Sequence, residues 1–387
     1  MASIELRNIC KRFRNDGRLD FDGTGAIANL FAAVFRVAKK MQSYITSEKR
    51  EDPFSIENLS LTIPHGMVMV ILGPSGCGKS TLLRLIAGLM QPDSGEVRYD
   101  GINMENTPPG ERNIGMVFQD YALYPHFTSR KNVLSYFFFK KSTPELDAMA
   151  REKYRKTSEL LGVDIEYLMD RKPRNLSGGE KQRVALGRCI TRDPVLFLLD
   201  EPFSNLDQRL REKYRLELKK LLRHFDITTV YVTHDQQEAL ILADILAIMN
   251  VGCIEQVGAP EDIYNHPHSL FVAEFLNFDM DTPAINLLDG GVISEELKGM
   301  IAGVRSEDIE VCEDREVKSV TGTIVDIRHI PIKEVTVVGV NIGKEEVYVR
   351  VPLQKSLSIK DEICLRFTKY HIFSRNTGLR VRTHNPS

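Results

Sequence analysis

Gly73-Pro-Ser-Gly-Cys-Gly-Lys79-Ser80 is the stretch on which the reading of this chain turns. It follows the apolar run Met67 to Leu72 and leads into Thr81-Leu-Leu-Arg-Leu-Ile-Ala87, so the order reads strand, glycine loop, helix. Glycines without Cβ let successive backbone N–H groups curl around a polyphosphate, and the positive end of the following helix faces the same anion. Gly73, Pro74, Ser75, Gly76, Cys77, Gly78, Lys79, Ser80 and Thr81 form the expected cradle. Lys79 is expected to reach the β- and γ-phosphates as a catalytic cation, and the Ser80 hydroxyl to sit on Mg²⁺. The same helix N-terminus should favour the thiolate of Cys77.

The chain has 387 residues, a length that suggests two to three domains, and a formal net charge of −2. No global basic field draws it to nucleic acid or anionic lipid. Its six cysteines (Cys10, Cys77, Cys189, Cys253, Cys312 and Cys364) are scattered, with no CxxC pair. That is the pattern of a reducing compartment and not of a disulfide framework or zinc site. Nothing at the N-terminus reads as a signal peptide. No apolar stretch approaches the ~20 residues needed to span a bilayer.

Strands are expected at 3–9 and 56–63, at 95–101 with an Asp100-Gly101 turn, and at 114–118. Charged helical stretches over about 120–175 suggest a helical subdomain. From Gly179 to Asn250 helices alternate with strands at 195–200, 228–233 and 245–250, which implies an α/β fold with a largely parallel sheet. An odd segment, 19–53, separates the first two strands. In it Ile27, Leu30, Phe31, Val34, Ala38, Met41 and Ile45 share one helical stripe, with Arg36, Lys39 and Lys40 largely off it. It reads as an inserted amphipathic helix, docked on its own domain or presented to a partner or membrane surface.

A second element, Val195-Leu-Phe-Leu-Leu-Asp200-Glu201, is an apolar run that ends in acid. Such a buried parallel strand delivers carboxylates to the sheet edge where ligands bind. Asp200 is placed to hold Mg²⁺, and Glu201 to orient the water that attacks a γ-phosphorus, as general base.

Between these elements lies Leu176-Ser-Gly-Gly-Glu-Lys-Gln-Arg183. With it the chain resembles the ATP-binding subunits of ABC transporters, whose signature sequence this is, over about residues 1–245. The resemblance implies a P-loop NTPase cassette with a parallel core sheet, an antiparallel β subdomain and a helical subdomain, using ATP and Mg²⁺. Phe13 resembles the aromatic residue that stacks on adenine. Gln119, in Val117-Phe-Gln-Asp-Tyr-Ala-Leu-Tyr-Pro-His126, resembles the Q-loop glutamine, which implies a place at the nucleotide, the metal and the catalytic step. Ser204-Asn-Leu-Asp207 resembles the D-loop, and His234 the switch histidine expected at the γ-phosphate. Glu180 stands where glutamine is frequent.

Ser177, Gly178 and Gly179 open a helix, so its unpaired N–H groups and dipole should offer a second anion site. The resemblance supplies the partner, a second cassette closing head-to-tail in a homodimer around two ATPs. The wording of Asn106 to Gln119, Ser204 to Arg211 and Tyr231 to Ala239 looks like the maltose-importer type, and Gln256 to Tyr264 like the linker, 246–280, that follows it. This implies an ATPase that drives solute import from the cytoplasmic face of the membrane, peripheral on permease subunits met at Tyr121 to His126, with a solute-binding protein upstream. A carbohydrate cargo is expected; polyamine, iron, sulfate and glycine-betaine importers share the architecture. The alternative of another class, a soluble ABC ATPase acting on ribosomes or DNA, fits poorly with a single cassette and an appended barrel.

That barrel is expected at 281–387, where short alternating strands at 323–327, 335–340, 347–351 and 363–367 place apolar residues on one face. Ile301-Ala-Gly-Val-Arg-Ser-Glu-Asp-Ile309 resembles the TOBE domain of the family, an all-β, oligonucleotide-fold-like unit that supports the dimer or receives a regulatory protein. It lacks the basic and aromatic ladder of a nucleic-acid binder.

Overall fold

A computed structural model of the protein describes residues 2–13, 55–138, 143–160, 166–278, 281–312, 319–353 and 357–384. The inserted helix expected at 19–53 lies outside the described residues.

Fully buried strands make the centre of the molecule. Val68–Leu72 (β3), Leu196–Asp200 (β7) and Thr228–Thr233 (β8) are buried along their whole length, as strands covered on both faces must be. With Ile114–Val117 (β6), Ile245–Asn250 (β9) and Cys253–Gly258 (β10) they form a six-stranded sheet in the order β10-β9-β3-β8-β7-β6. Every pairing is parallel except β9 with β10. A second, antiparallel sheet runs β2-β1-β4-β5, from Ile4–Arg12 (β1), Ser55–Ile63 (β2), Ser94–Tyr99 (β4) and Ile102–Asn103 (β5). Ile4, Leu6 and Ile9 turn inward from β1 and share one core with β3 and with helix Lys79–Ala87.

The sheet continues past residue 245, so residues 246–258, expected within the linker, belong to it. The reason is local: Leu246, Ala247, Ile248 and Met249 are fully buried, and β9 covers the edge that β3 would otherwise expose. The helical subdomain packs Val133, Leu168, Met169, Leu176 and Val184 into a small core of its own.

Beyond the short helices Pro260–Asn265 and Leu270–Phe275 the described residues form strands joined by short 3₁₀ turns, the all-β region expected there. Asn286–Asp289 (β11), Ile301–Val304 (β12), Tyr370–Phe373 (β18) and Arg380–His384 (β19) form one sheet in the order β11-β12-β18-β19. Ile309–Cys312 (β13), Ser319–Ile330 (β14), Val335–Ile342 (β15), Glu345–Pro352 (β16) and Glu362–Phe367 (β17) form another in the order β13-β17-β14-β15-β16. One buried residue ties this unit to the helices before it. The Arg305 guanidinium donates to the carbonyls of Leu276 (3.0 Å), Ala273 and Tyr264, and lies 3.9 Å from the Tyr264 ring centroid. A buried cation needs such partners, and helix C-terminal carbonyls supply them.

Candidate active site

The phosphate loop leaves β3 in a conformation only glycine takes cheaply: Gly76 has φ 82° and Gly78 φ 110°. A Cβ on Gly73 would stand 2.1 Å from the Met249 carbonyl oxygen, so the loop lies flat against β9. Lys79 is buried, and its ammonium donates to the carbonyls of Gly73 at 2.8 Å and Pro74 at 2.9 Å. Ser75 is exposed at the tip, and Thr81 is half-buried in the first turn of helix Lys79–Ala87.

Cys77 departs from expectation. It is buried, and burial pushes its thiol up, although the Lys79 ammonium 4.0 Å away acts in the other direction. Desolvation of the thiolate outweighs the helix terminus here.

The two nucleotide elements meet at one hydrogen bond. The Ser80 hydroxyl donates to Asp200 Oδ1 at 2.8 Å. Burial raises the Asp200 carboxyl and that hydrogen bond opposes the rise. One residue on, Glu201 takes a left-handed backbone, φ 43°, and its N–H donates to the Val232 carbonyl at 3.0 Å. That turn aims its carboxylate at two side chains: His234 Nδ1 lies 3.0 Å from Oε1, and Gln119 Nε2 donates to Oε2 at 3.4 Å. The D-loop closes the group, since Asn205 Nδ2 donates to the Gln119 carbonyl at 2.8 Å. Asp207 instead caps helix Gln208–Phe225, accepting from Leu210 N at 3.0 Å.

His234 stands on a buried polar foundation. Asp235 caps helix Gln236–Leu242 through the amides of Gln237 and Glu238, and is held by Arg211 at 3.3 Å and Arg215 at 3.2 Å. Glu238 accepts from the Tyr231 and Thr233 hydroxyls, each at 2.7 Å, and burial raises its carboxyl. Arg188, reaching across from helix Gly178–Ile190, holds the Q-loop by donating to the carbonyls of Ala122 (2.6 Å) and Tyr121 (3.0 Å). Arg188 and Arg215 lie outside every quoted motif, and Arg211, Asp235 and Glu238 lie within quoted stretches that give them no role; a charged residue on or beside a helix gives no signal that it is buried or braced.

The signature residues stand apart from this cluster. Ser177 caps its helix in a reciprocal box: its N–H donates to Glu180 Oε2 at 2.7 Å, and Glu180 N donates to the Ser177 hydroxyl at 3.4 Å. Of the residues expected to offer unpaired amides, Ser177 therefore has its N–H engaged, as does Glu180. A Cβ on Gly178 would come within 2.9 Å of Leu206, and one on Gly179 within 2.4 Å of the Tyr214 ring. Phe13 follows β1 directly and is half-buried.

Comparison with known proteins shows what the chain as a whole resembles. The family model described as ABC transporter matches residues 56–204. The sn-glycerol-3-phosphate import ATP-binding protein UgpC of Bartonella bacilliformis is 41% identical over 348 residues, 87% of this chain and 98% of that protein. Its namesake in Brucella abortus is 47% identical over 268 residues, 67% of this chain and 74% of that protein. Among solved structures, a dimeric bacterial ABC transporter cassette is 28% identical with a TM-score of 0.50, covering 66% of this chain and 98% of its own.

Proposed function

The chain belongs to the ABC transporter ATP-binding family, and from that premise we propose that it energises uptake of sn-glycerol-3-phosphate, with Glu201 as the catalytic base. It is an ATP-hydrolysing importer subunit, and the cargo named by its relatives is a small phosphorylated polyol of the carbohydrate class. The observation that carries the catalytic reading is the Glu201 carboxylate, gripped by His234 on one oxygen and Gln119 on the other.

In this reading ATP lies on the phosphate-loop amides, with Phe13 at its adenine and Lys79 on its outer phosphates. The Ser80 hydroxyl, the Asp200 carboxylate and the Gln119 side chain are hard oxygen donors of the kind Mg²⁺ prefers, and the 2.8 Å between the first two brings them to one point. A bound Mg²⁺ would neutralise phosphate charge there. Glu201 accepts a proton from water as the water oxygen bonds to the γ-phosphorus and the bond to ADP breaks. His234 and Gln119 hold the carboxylate in place. Ser177, Gly178 and Gly179 of a second copy face the same γ-phosphate across the dimer, with the D-loop and its Asp207 beside them.

The permease is expected to seat on the Tyr121 to His126 region, where Tyr124 is 42% exposed and its ring centroid lies 5.2 Å from that of Phe127. The β unit over 281–387 would brace the dimer or receive a regulator. Reconstitution with permease and binding protein in liposomes tests the cargo. ATP-dependent uptake of labelled sn-glycerol-3-phosphate supports it, and uptake of maltose in its place overturns it.

A further inference from the structure

Two of the cysteines that look scattered along the chain stand opposite each other in the fold. Cys312 ends β13, Cys364 lies on β17, and the antiparallel register pairs them directly. Both are half-buried. Their chain neighbours Val311 and Leu365 pack in the core of the β unit, so strand alternation turns both thiols to the outer face. The Glu310–Arg366 ion pair lies on that same face, one step along the ladder.

The hydrogen-bond pattern fixes which kind of pair this is. Thr368 N donates to the Asp308 carbonyl at 2.9 Å at the start of the same ladder. Stepping along by twos makes Cys312 and Cys364 a hydrogen-bonded pair, whose Cα atoms sit about 5.5 Å apart. A disulfide spans about 4.4–6.8 Å between Cα atoms, so the bond is within reach. The Cβ atoms of a cross-strand pair stand about 4.5–5.5 Å apart, against about 3.5–4.5 Å in a disulfide. Closing that gap draws two already bonded strands together, and strained disulfides are the easily reduced ones.

We propose that Cys312 and Cys364 form a reversible redox pair, a surface dithiol that low-molecular-weight disulfides oxidise to an intramolecular bond. One thiolate attacks a sulfur of the small disulfide and releases one small thiolate, leaving a mixed disulfide. The other cysteine's thiolate attacks the protein sulfur of that mixed disulfide and releases the second. The chain loses two protons and two electrons, and one small disulfide becomes two thiols. The bond would form close to the junction of the two units, because β13 follows directly on Arg305 and Glu307, and Glu307 accepts from the Tyr264 hydroxyl at 2.6 Å. This inference is independent of the cargo.

The test is peptide mapping without reduction after the full chain is exposed to oxidised glutathione. Peptides bearing Cys312 and Cys364 are expected joined, and excess reduced glutathione should separate them. In Cys364→Ser, Cys312 should instead carry glutathione. Exposed Cys253 is the internal control, expected to be glutathionylated and never joined. The pairing is overturned if Cys253 reacts while Cys312 and Cys364 stay unmodified or carry separate adducts. Reversibility is overturned if the joined peptides survive excess reduced glutathione. The wild-type map decides both points even if the serine variant folds poorly.

Discussion

His234 and Glu201 meet at 3.0 Å, Nδ1 to Oε1, although they stand 33 positions apart in the chain. Adjacency of two parallel strands causes this. β7 and β8 run side by side, and the bond from Glu201 N to the Val232 carbonyl locks their ends together. The residues that follow each strand then emerge as neighbours at the sheet's C-terminal edge, where open α/β sheets bind ligands.

Glu201→Gln keeps the shape of the site and removes its proton acceptor. ATP affinity should be unchanged and turnover should fall by ~10²–10⁴. His234→Ala should also cripple turnover, since it frees one oxygen of the carboxylate from its anchor. Single-turnover hydrolysis beside equilibrium nucleotide binding checks both, and a wild-type rate for Glu201→Gln would end the general-base assignment.

Gly179 should separate local packing from contact across the dimer. Its Cβ would stand 2.4 Å from the Tyr214 ring, so Gly179→Ala overpacks the cassette and should cost about 1–3 kcal/mol of stability. In a Tyr214→Ala background that extra cost of Gly179→Ala should vanish, whatever the tyrosine truncation itself costs. Gly179→Asp should still fail to dimerise with ATP in the Tyr214→Ala background, because its carboxylate repels the γ-phosphate. Thermal melts and light scattering read the two effects apart, and normal dimerisation of the double variant would defeat the composite site.

Burial makes Cys77 a poor nucleophile. At neutral pH a maleimide should label exposed Cys253 well before Cys77, as followed by timed labelling and peptide mapping. The reverse order would show that the loop holds a thiolate after all.

Acid should weaken the β unit through one side chain. His371 is 1% exposed, its Nδ1 lies 2.9 Å from the Thr383 hydroxyl, and burial pushes its pKa from 6.5 down to about 3, with Lys369, Arg305, Arg380 and His266 adding to the effect. The unfolded chain binds the proton more readily, so this contribution is complete above pH 6.5 and is lost as pH falls towards 3. By pH 5 the loss is about 2 kcal/mol. Urea unfolding of the wild type and of His371→Gln at pH 7.5 and pH 5 should show that increment in the wild type alone.

The strands that carry the site were legible because burial on both faces demands unbroken apolar runs, as in Val68–Leu72 and Leu196–Leu199. The residues after those runs were legible because phosphate binding demands glycine, lysine, hydroxyl and carboxylate in order. Glu238 offered no such mark: its burial depends on Tyr231 and Thr233, which arrive from the neighbouring strand. Arg305 reads as an ordinary surface cation until backbone carbonyls and a ring close over it. The run from Ile245 to Asn250 was legible as a strand of the parallel sheet from its alternation with helices, but that it pairs with β3 at the sheet's flank is something no local pattern reports. Cys312 and Cys364 became a pair only through the register of β13 on β17.

The left-handed backbone at Glu201 sets two kinds of selection against each other. An ordinary side chain held at positive φ costs about 1–2 kcal/mol that glycine does not pay. Glu201→Gly should therefore melt at a higher temperature than the wild type while its turnover falls at least as far as that of Glu201→Gln. A mutant library selected only for heat tolerance would drift towards loss of its base, and only a demand for transport would hold the glutamate in place. In this protein inactivation lies downhill, so a more stable homologue or engineered variant should be checked at this position before its stability is counted as an improvement.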